Sequence, residues 1–142
     1  MDPDVDLRVV ADRTELRPSP WPVLGMISAG GMLGALARYG IGAAWPHAPA
    51  GFAWATWTVN VTGCFLIGVL MVLIHRFRPE QRLLRPFWGV GVLGGYTTFS
   101  TATVDVLRAA PATALGYLAA TLAGALIAVW LGTALTEAVV RR

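Results

Sequence analysis

The chain has 142 residues, of which 56% are hydrophobic and only 13% are charged, and its formal net charge is +3. This composition excludes an ordinary soluble domain, because the charges are concentrated outside long apolar stretches instead of being spread along the chain. All eleven basic residues are arginines. They cluster at the ends of the apolar stretches, and the N-terminal tail has no aromatic residues that could stack on bases, so the sequence predicts no nucleic-acid partner.

The N-terminal segment, residues 1–20, carries charges of both signs and is predicted to be a disordered tail and not a signal peptide. Four apolar blocks follow, and each reaches the ~20 residues that a membrane span requires. We therefore predict an all-α integral membrane protein whose four-helix domain covers residues 21–140. The predicted spans are residues 23–45, 53–74, 87–107 and 112–140.

The first span contains one charged residue, Arg38. A charge at this depth must reach a membrane interface, a cluster of carbonyl groups or an anion pathway. Snorkelling towards the headgroups beside Tyr39 is an equally good explanation. Gly30 and Gly34 form a pair of small residues that would let another helix approach closely.

The second span carries a polar stripe, because Thr56 and Asn60 are four residues apart and Gly63 continues the same helix face. The Asn60 amide has two N–H donors that can replace water around a small anion. It can equally clamp the backbone of a neighbouring helix.

The third block contains the sequence GGYTTFST at residues 94–101. Adjacent glycines weaken a helix by roughly 1 kcal/mol each, and the hydroxyl groups that follow can serve unpaired backbone groups. In a membrane such a break needs protein or a water-filled path around it, although a simple Gly/Ser/Thr packing face is the alternative. Near the end of the block, the i+3 spacing predicts that Asp105 pairs with Arg108.

The fourth span repeats the four-residue spacing, since Tyr117 and Thr121 share a face that Ala125 continues. The alternative for Tyr117 is an interfacial anchor near a membrane surface.

The arginines divide unequally between the two sides of a four-span protein. With Arg38 set aside as intramembrane, one side carries only Arg108, and the positive-inside rule then predicts that both termini are cytoplasmic. The other side carries Arg8, Arg13, Arg17, Arg76, Arg78, Arg82, Arg85, Arg141 and Arg142.

Three segments resemble the signature segments of Fluc (CrcB) fluoride channels: residues 31–39, residues 58–68 and residues 94–101. The resemblance covers roughly residues 24–135 and implies two four-helix subunits in antiparallel orientation, with two fluoride pores along their interface. It also implies a structural Na⁺ at the dimer centre, held by the backbone carbonyls of Gly94 and Thr97.

Fluoride is small and strongly hydrated, so its pathway must be dense in hydrogen-bond donors. By resemblance Phe99 lines the pore, where its ring edge is the electropositive part. The predicted pore consists of Arg38, Thr56, Asn60, Phe99, Ser100, Thr101, Tyr117 and Thr121. The chain departs from the family at Ala102, where a second phenylalanine is usual, and at Ala125, where a second hydroxyl is usual.

These departures and the arginine bias predict one subunit of a pair that functions with an inverted homologous subunit, a homodimer being the alternative. The predicted function is passive export of cytoplasmic fluoride across the inner (plasma) membrane. A small multidrug-type antiporter is disfavoured because it needs a carboxylate inside the membrane, and an enzyme because no nucleophile and base are placed together. A non-conducting structural subunit remains open.

Overall fold

The computed structural model describes residues 20–48 and 51–141, and the regular structure within them is entirely helical, as predicted. Apart from Pro20, the predicted disordered tail of residues 1–20 lies outside the described residues. The helices are α1 (Trp21–Ala44), α2 (Trp54–Phe77), α3 (Arg85–Leu93 continuing into Gly94–Tyr96), α4 (Phe99–Arg108) and α5 (Pro111–Val140).

Proline marks the start of three of these helices. Pro22, Pro86 and Pro111 lie in the first two positions of α1, α3 and α5, where the missing N–H group needs no partner. The first part of α3, Arg85–Leu93, is a π-helix, a form that is rare beyond a single turn. Helix α2 ends with His75 and Arg76 in its last turn, which complements the negative end of the helix dipole.

Two of the described helices are long and apolar enough to cross a membrane by length and composition. Helix α2 has 24 residues with a mean hydropathy of 2.1, and α5 has 30 residues with a mean hydropathy of 2.0. Their outer surfaces match this property, since Leu122, Leu126 and Trp130 of α5 are at least 60% exposed. In a membrane this apolar surface faces lipid tails or another subunit.

Helices α1 and α3 touch through their backbones. A Cβ atom on Gly34 would overlap the carbonyl oxygen of Val92, and one on Gly91 would lie 2.8 Å from the carbonyl oxygen of Ile27. Because later residues of α1 meet later residues of α3, the two helices run in the same direction. The predicted close approach at Gly30 and Gly34 is therefore made with α3.

Helices α2 and α5 form a second pair of the same kind. A Cβ atom on Gly68 would lie 2.6 Å from the carbonyl oxygen of Val129, and one on Gly132 would overlap the carbonyl oxygen of Phe65. This pair is also parallel. The fold therefore contains two tightly packed helix pairs. In each pair the glycines have no side chain, which lets the two backbones come into direct contact.

The two ends of the bundle are defined by different contacts. At one end His47, which follows α1, lies close to Asp105 near the end of α4. At the other end α2 and α5 finish and α3 begins around a shared cavity. The α1–α3 pair therefore runs opposite to the α2–α5 pair, the alternation that a chain crossing a membrane repeatedly requires.

Candidate functional site

Two residues separate α3 from α4 and have extended backbones. Thr97 has a ψ of 156°, and Thr98 has a φ of −149° and a ψ of 122°. Thr98 caps the new helix, because the backbone N–H of Thr101 donates to Thr98 Oγ1 at 3.2 Å. The segment that begins with two glycines is therefore an ordered helix interruption with its own cap.

Asn60 of α2 holds this interruption with both ends of its amide. Asn60 Nδ2 donates to the carbonyl oxygen of Thr98 at 2.9 Å, and the backbone N–H of Thr98 donates to Asn60 Oδ1 at 2.8 Å. Asn60 Oδ1 thus replaces the helical acceptor of the Thr98 N–H, and Asn60 Nδ2 adds a hydrogen bond to the Thr98 carbonyl, which as the N-cap carbonyl also accepts the first hydrogen bond of α4. One Nδ2 hydrogen remains for another acceptor, so the predicted contact with an anion is still chemically available.

The interruption also changes the surroundings of two carbonyl groups. The N–H of Thr98 donates to Asn60 and not to the carbonyl of Gly94, four residues earlier. The N–H of Thr101 donates to Thr98 Oγ1 and not to the carbonyl of Thr97. Both carbonyl oxygens therefore lack their helical N–H partners. Carbonyl oxygens of this kind are the ligands that a hard monovalent cation uses.

Arg38 of α1 reaches the same segment. Its Nε donates to the carbonyl oxygen of Gly95 at 3.0 Å. The guanidinium charge is therefore stabilised by a backbone carbonyl inside the protein. Arg38 also lines a cavity of about 250 Å³ together with Thr56, Thr98 and Thr101. The structure therefore brings three of the predicted pore residues, Arg38, Thr56 and Thr101, to one cavity beside the interruption.

Asp105 makes different contacts from those predicted. Thr56 Oγ1 donates to Asp105 Oδ2 at 2.8 Å, and His47 Nε2 lies 3.7 Å from Asp105 Oδ1. The predicted pairing with Arg108 is wrong, because the carboxylate turns towards α2 and the segment after α1 instead. As a consequence, the single hydrogen of the Thr56 hydroxyl is committed to Asp105 and the hydroxyl offers an anion no donor.

Three predicted pore residues at the start of α4 lie on the outer surface of the subunit. The Phe99 side chain is 87% exposed, and Ser100 and Thr101 are also exposed. A phenylalanine that projects beside hydroxyl groups is suited to contact with a second molecule.

The remaining predicted pore residues, Tyr117 and Thr121, lie inside the subunit. Tyr117 is only 2% exposed and packs with Ala53 and Ala102, so it is not an interfacial anchor. Tyr117 Oη and Thr121 Oγ1 are both buried and lie near each other, and among the described residues neither has a hydrogen-bond partner in good geometry. Such groups are costly unless an acceptor reaches them, which makes them candidates for contact with an anion or water.

Trp57 is a further candidate that the sequence analysis did not identify. Its indole Nε1 is also buried without a partner in the described part of the chain. The ring packs near Phe52, which in turn contacts Tyr117 with ring centroids 5.1 Å apart. The sequence feature that could have identified Trp57 is its position three residues before Asn60. This spacing places its N–H donor next to the polar stripe of α2.

A metal site built from acidic, histidine or cysteine side chains does not occur in residues 20–48 and 51–141, where no three such groups come together. A cation at the interruption would then be bound by backbone, hydroxyl or amide oxygens. The Gly94 and Thr97 carbonyls fit that requirement.

Comparison with known proteins gives consistent matches. Residues 25–133 match the family described as "CrcB-like protein, Camphor Resistance (CrcB)". A "Fluoride-specific ion channel FluC 2" of Thermobifida fusca is 56% identical over 113 residues, which cover 77% of this chain and 84% of that relative. Another FluC 2, of Streptomyces avermitilis, is 47% identical over 125 residues, with coverage of 85% and 79%. "Fluoride-specific ion channel FluC 3" of the same organism is 44% identical over 86 residues, with coverage of 61% and 42%.

Proposed function

The chain belongs to the CrcB family, and because its relatives are named fluoride-specific ion channels, we propose that it is a passive fluoride channel subunit that lets cytoplasmic fluoride leave the cell. This is transport and not enzyme catalysis. The observation that carries the proposal is the helix interruption held by Asn60, with the donors of Arg38 and Thr101 around it. Dense donors of this kind can replace the hydration shell of a small anion.

In the membrane, we place four passes along the chain. Helices α1, α2 and α5 make one pass each, and α3 with α4 makes the interrupted pass. The opposite directions of the two helix pairs support this arrangement. With the arginine-rich end in the cytoplasm, both termini are cytoplasmic and the protein lies in the inner (plasma) membrane.

A second, inverted subunit would complete the pathway. The exposed Phe99 ring and its neighbouring hydroxyls form a surface that such a subunit would cover. Na⁺ between the subunits would neutralise the carbonyl dipoles of the two helix interruptions where they meet. Gly94 and Thr97 would hold it through their backbone oxygens, which have lost their helical partners.

We further propose that this inverted subunit is a related chain and not a second copy. The fixed arginine bias supports this, as does the presence of channels numbered 2 and 3 in Streptomyces avermitilis. Ala102 supports it too, because it is 8% exposed and packs against Tyr117, so the position usual for a second pore phenylalanine is used for packing.

The test is fluoride efflux from liposomes that contain this chain alone, a candidate related chain alone, or both. We expect efflux of fluoride without nucleotide, at a rate far above that of chloride, when both chains are present. Chloride efflux at a comparable rate would overturn the assignment. Full fluoride efflux from the purified chain alone would retain the channel and replace the paired subunit by a homodimer.

A further inference from the structure

A basic cavity of about 700 Å³ lies at the end of the bundle where α2 and α5 finish and α3 begins. Arg76, Arg85 and Arg141 line it, each from a different helix end, and His75 lies beside them. Glu137 is the one acidic residue in the lining. The cavity is separate from the helix interruption and has no part in the function proposed above.

The charge of this cavity is only partly compensated inside the protein. Arg141 Nη2 donates to Glu137 Oε2 at 2.8 Å, which pairs these two side chains. Within residues 20–48 and 51–141, Arg76 and Arg85 form no such ion pair with a carboxylate. Two guanidinium groups, each with several N–H donors in a planar fork, therefore face the cavity without an anionic partner from the described chain.

The other walls are apolar. Met71, Val72, Ile74 and Val140 contribute hydrocarbon surface, and they belong to the last turns of the two helices that are long and apolar enough to cross a membrane. A ligand that fits must therefore have an anionic group at the level of the helix ends and hydrocarbon chains on the membrane side.

We propose that this cavity binds an anionic phospholipid of the cytoplasmic leaflet, with the phosphate between Arg76 and Arg85 and an acyl chain along the apolar wall. The proposal rests on the membrane insertion described under the proposed function, but not on fluoride conduction. Anionic lipid headgroups are drawn to arginines at the cytoplasmic membrane surface, and basic pockets between membrane helices hold them. A bound lipid would join the ends of α2, α3 and α5.

The test is native mass spectrometry of the purified chain with phosphatidylglycerol or phosphatidylcholine, which counts bound lipids directly. We expect phosphatidylglycerol to bind the wild-type chain in preference to phosphatidylcholine. The double variant Arg76→Gln/Arg85→Gln should lose most of this preference, because each arginine is expected to raise the binding of phosphatidylglycerol over phosphatidylcholine by about fivefold. The matched control is Arg78→Gln/Arg82→Gln, which removes two arginines from the same connecting segment but not from the cavity lining, and it should bind as wild type does.

Equal binding of both lipids to the wild-type chain would overturn the proposal, and so would an unchanged preference in the double variant. The proposal would also be overturned if inorganic phosphate, at the same concentration as the lipid, displaced the bound lipid. That result would indicate a site for free phosphate, which needs no acyl chain. If the double variant does not fold, the single variants Arg76→Gln and Arg85→Gln carry the same test. Fluoride efflux is measured separately, so that failure of the lipid site and failure of the channel assignment give different results.

Discussion

The amide of Asn60 and the peptide group of Thr98 are joined by two hydrogen bonds, of 2.9 and 2.8 Å, across 38 residues of sequence. The bond to Asn60 Oδ1 replaces the helical hydrogen bond that the Thr98 N–H gives up, and the bond from Asn60 Nδ2 fixes the Thr98 carbonyl at the start of α4. This pairing makes one side chain responsible for the shape of the interruption and, under the proposed function, for the position of the donors that follow it.

Replacing Asn60 tests this role. Asn60→Asp removes the donor to the Thr98 carbonyl and places a negative oxygen next to it, and Asn60→Leu removes both hydrogen bonds. We expect both variants to lose at least roughly tenfold in fluoride efflux, the rate equivalent of one lost hydrogen bond of about 1.5 kcal/mol. Both should also unfold at a lower temperature. Efflux from proteoliposomes and thermal unfolding in detergent give the two measurements.

The control for this prediction is Thr103→Val, which removes an exposed hydroxyl of α4 that bonds only to the carbonyl oxygen of Phe99. It should conduct fluoride as the wild type does. If a folded Asn60→Leu protein retains full efflux and full stability, the clamp is unimportant for both the fold and the function.

The sequence predicts the helical class because its apolar runs are long and lack the alternation of strands. It also places Thr56 and Asn60 on one face, because that depends only on helix geometry. It cannot choose between an anion contact and a backbone clamp for Asn60, because the choice depends on which helix packs opposite. Asp105 shows the same limit: its local spacing favoured Arg108, whereas its partner in the structure, Thr56, is 49 residues away.

The close packing of α1 on α3 leads to a second prediction. A Cβ atom at position 34 would overlap the Val92 carbonyl oxygen and lie 2.7 Å from the backbone nitrogen of Tyr96. Backbone atoms cannot rotate away as a side chain can, so Gly34→Ala should force the helices apart. We expect little folded protein in size-exclusion chromatography, with a destabilisation of at least about 1–3 kcal/mol, typical of overpacking.

The matched control is Gly25→Ala on the same helix, where an added Cβ meets nothing within 4 Å. This change should be neutral or slightly stabilising, because alanine is the better helix former. Equal yields of folded protein from the Gly34 and Gly25 variants would contradict the observed backbone contact.

Asp105 gives a prediction about conduction. Its carboxylate accepts from Thr56, which lines the same cavity as Arg38, so its negative charge lies one side chain away from the proposed fluoride donors. Asp105→Asn keeps an oxygen that can accept from Thr56 but removes the charge. We expect a folded protein whose fluoride efflux rises by about fivefold, the ratio that corresponds to ~1 kcal/mol of charge repulsion.

The control for charge removal is Glu80→Gln, in the exposed segment between α2 and α3 at the other end of the bundle. It should leave efflux unchanged. A decrease in efflux for a folded Asp105→Asn protein would mean that the carboxylate organises the pathway more than it repels the ion.

The last prediction concerns orientation in the membrane. The structure puts the segment between α2 and α3 at the same end as the C-terminus of α5, and this end carries five of the seven arginines in residues 20–48 and 51–141, whereas Arg108 lies at the opposite end. By the positive-inside rule the protein should insert in one orientation, and a reporter fused to the C-terminus should give signal only from the cytoplasm. Changing Arg76, Arg78, Arg82 and Arg85 to Gln lowers the bias from nine arginines against one to five against one, so a minority of the signal should then come from the opposite side. Under the proposed antiparallel dimer, a single orientation in the wild type would call for a partner with the opposite bias. Strong signal from both sides in the wild type would instead make a homodimer the simpler arrangement.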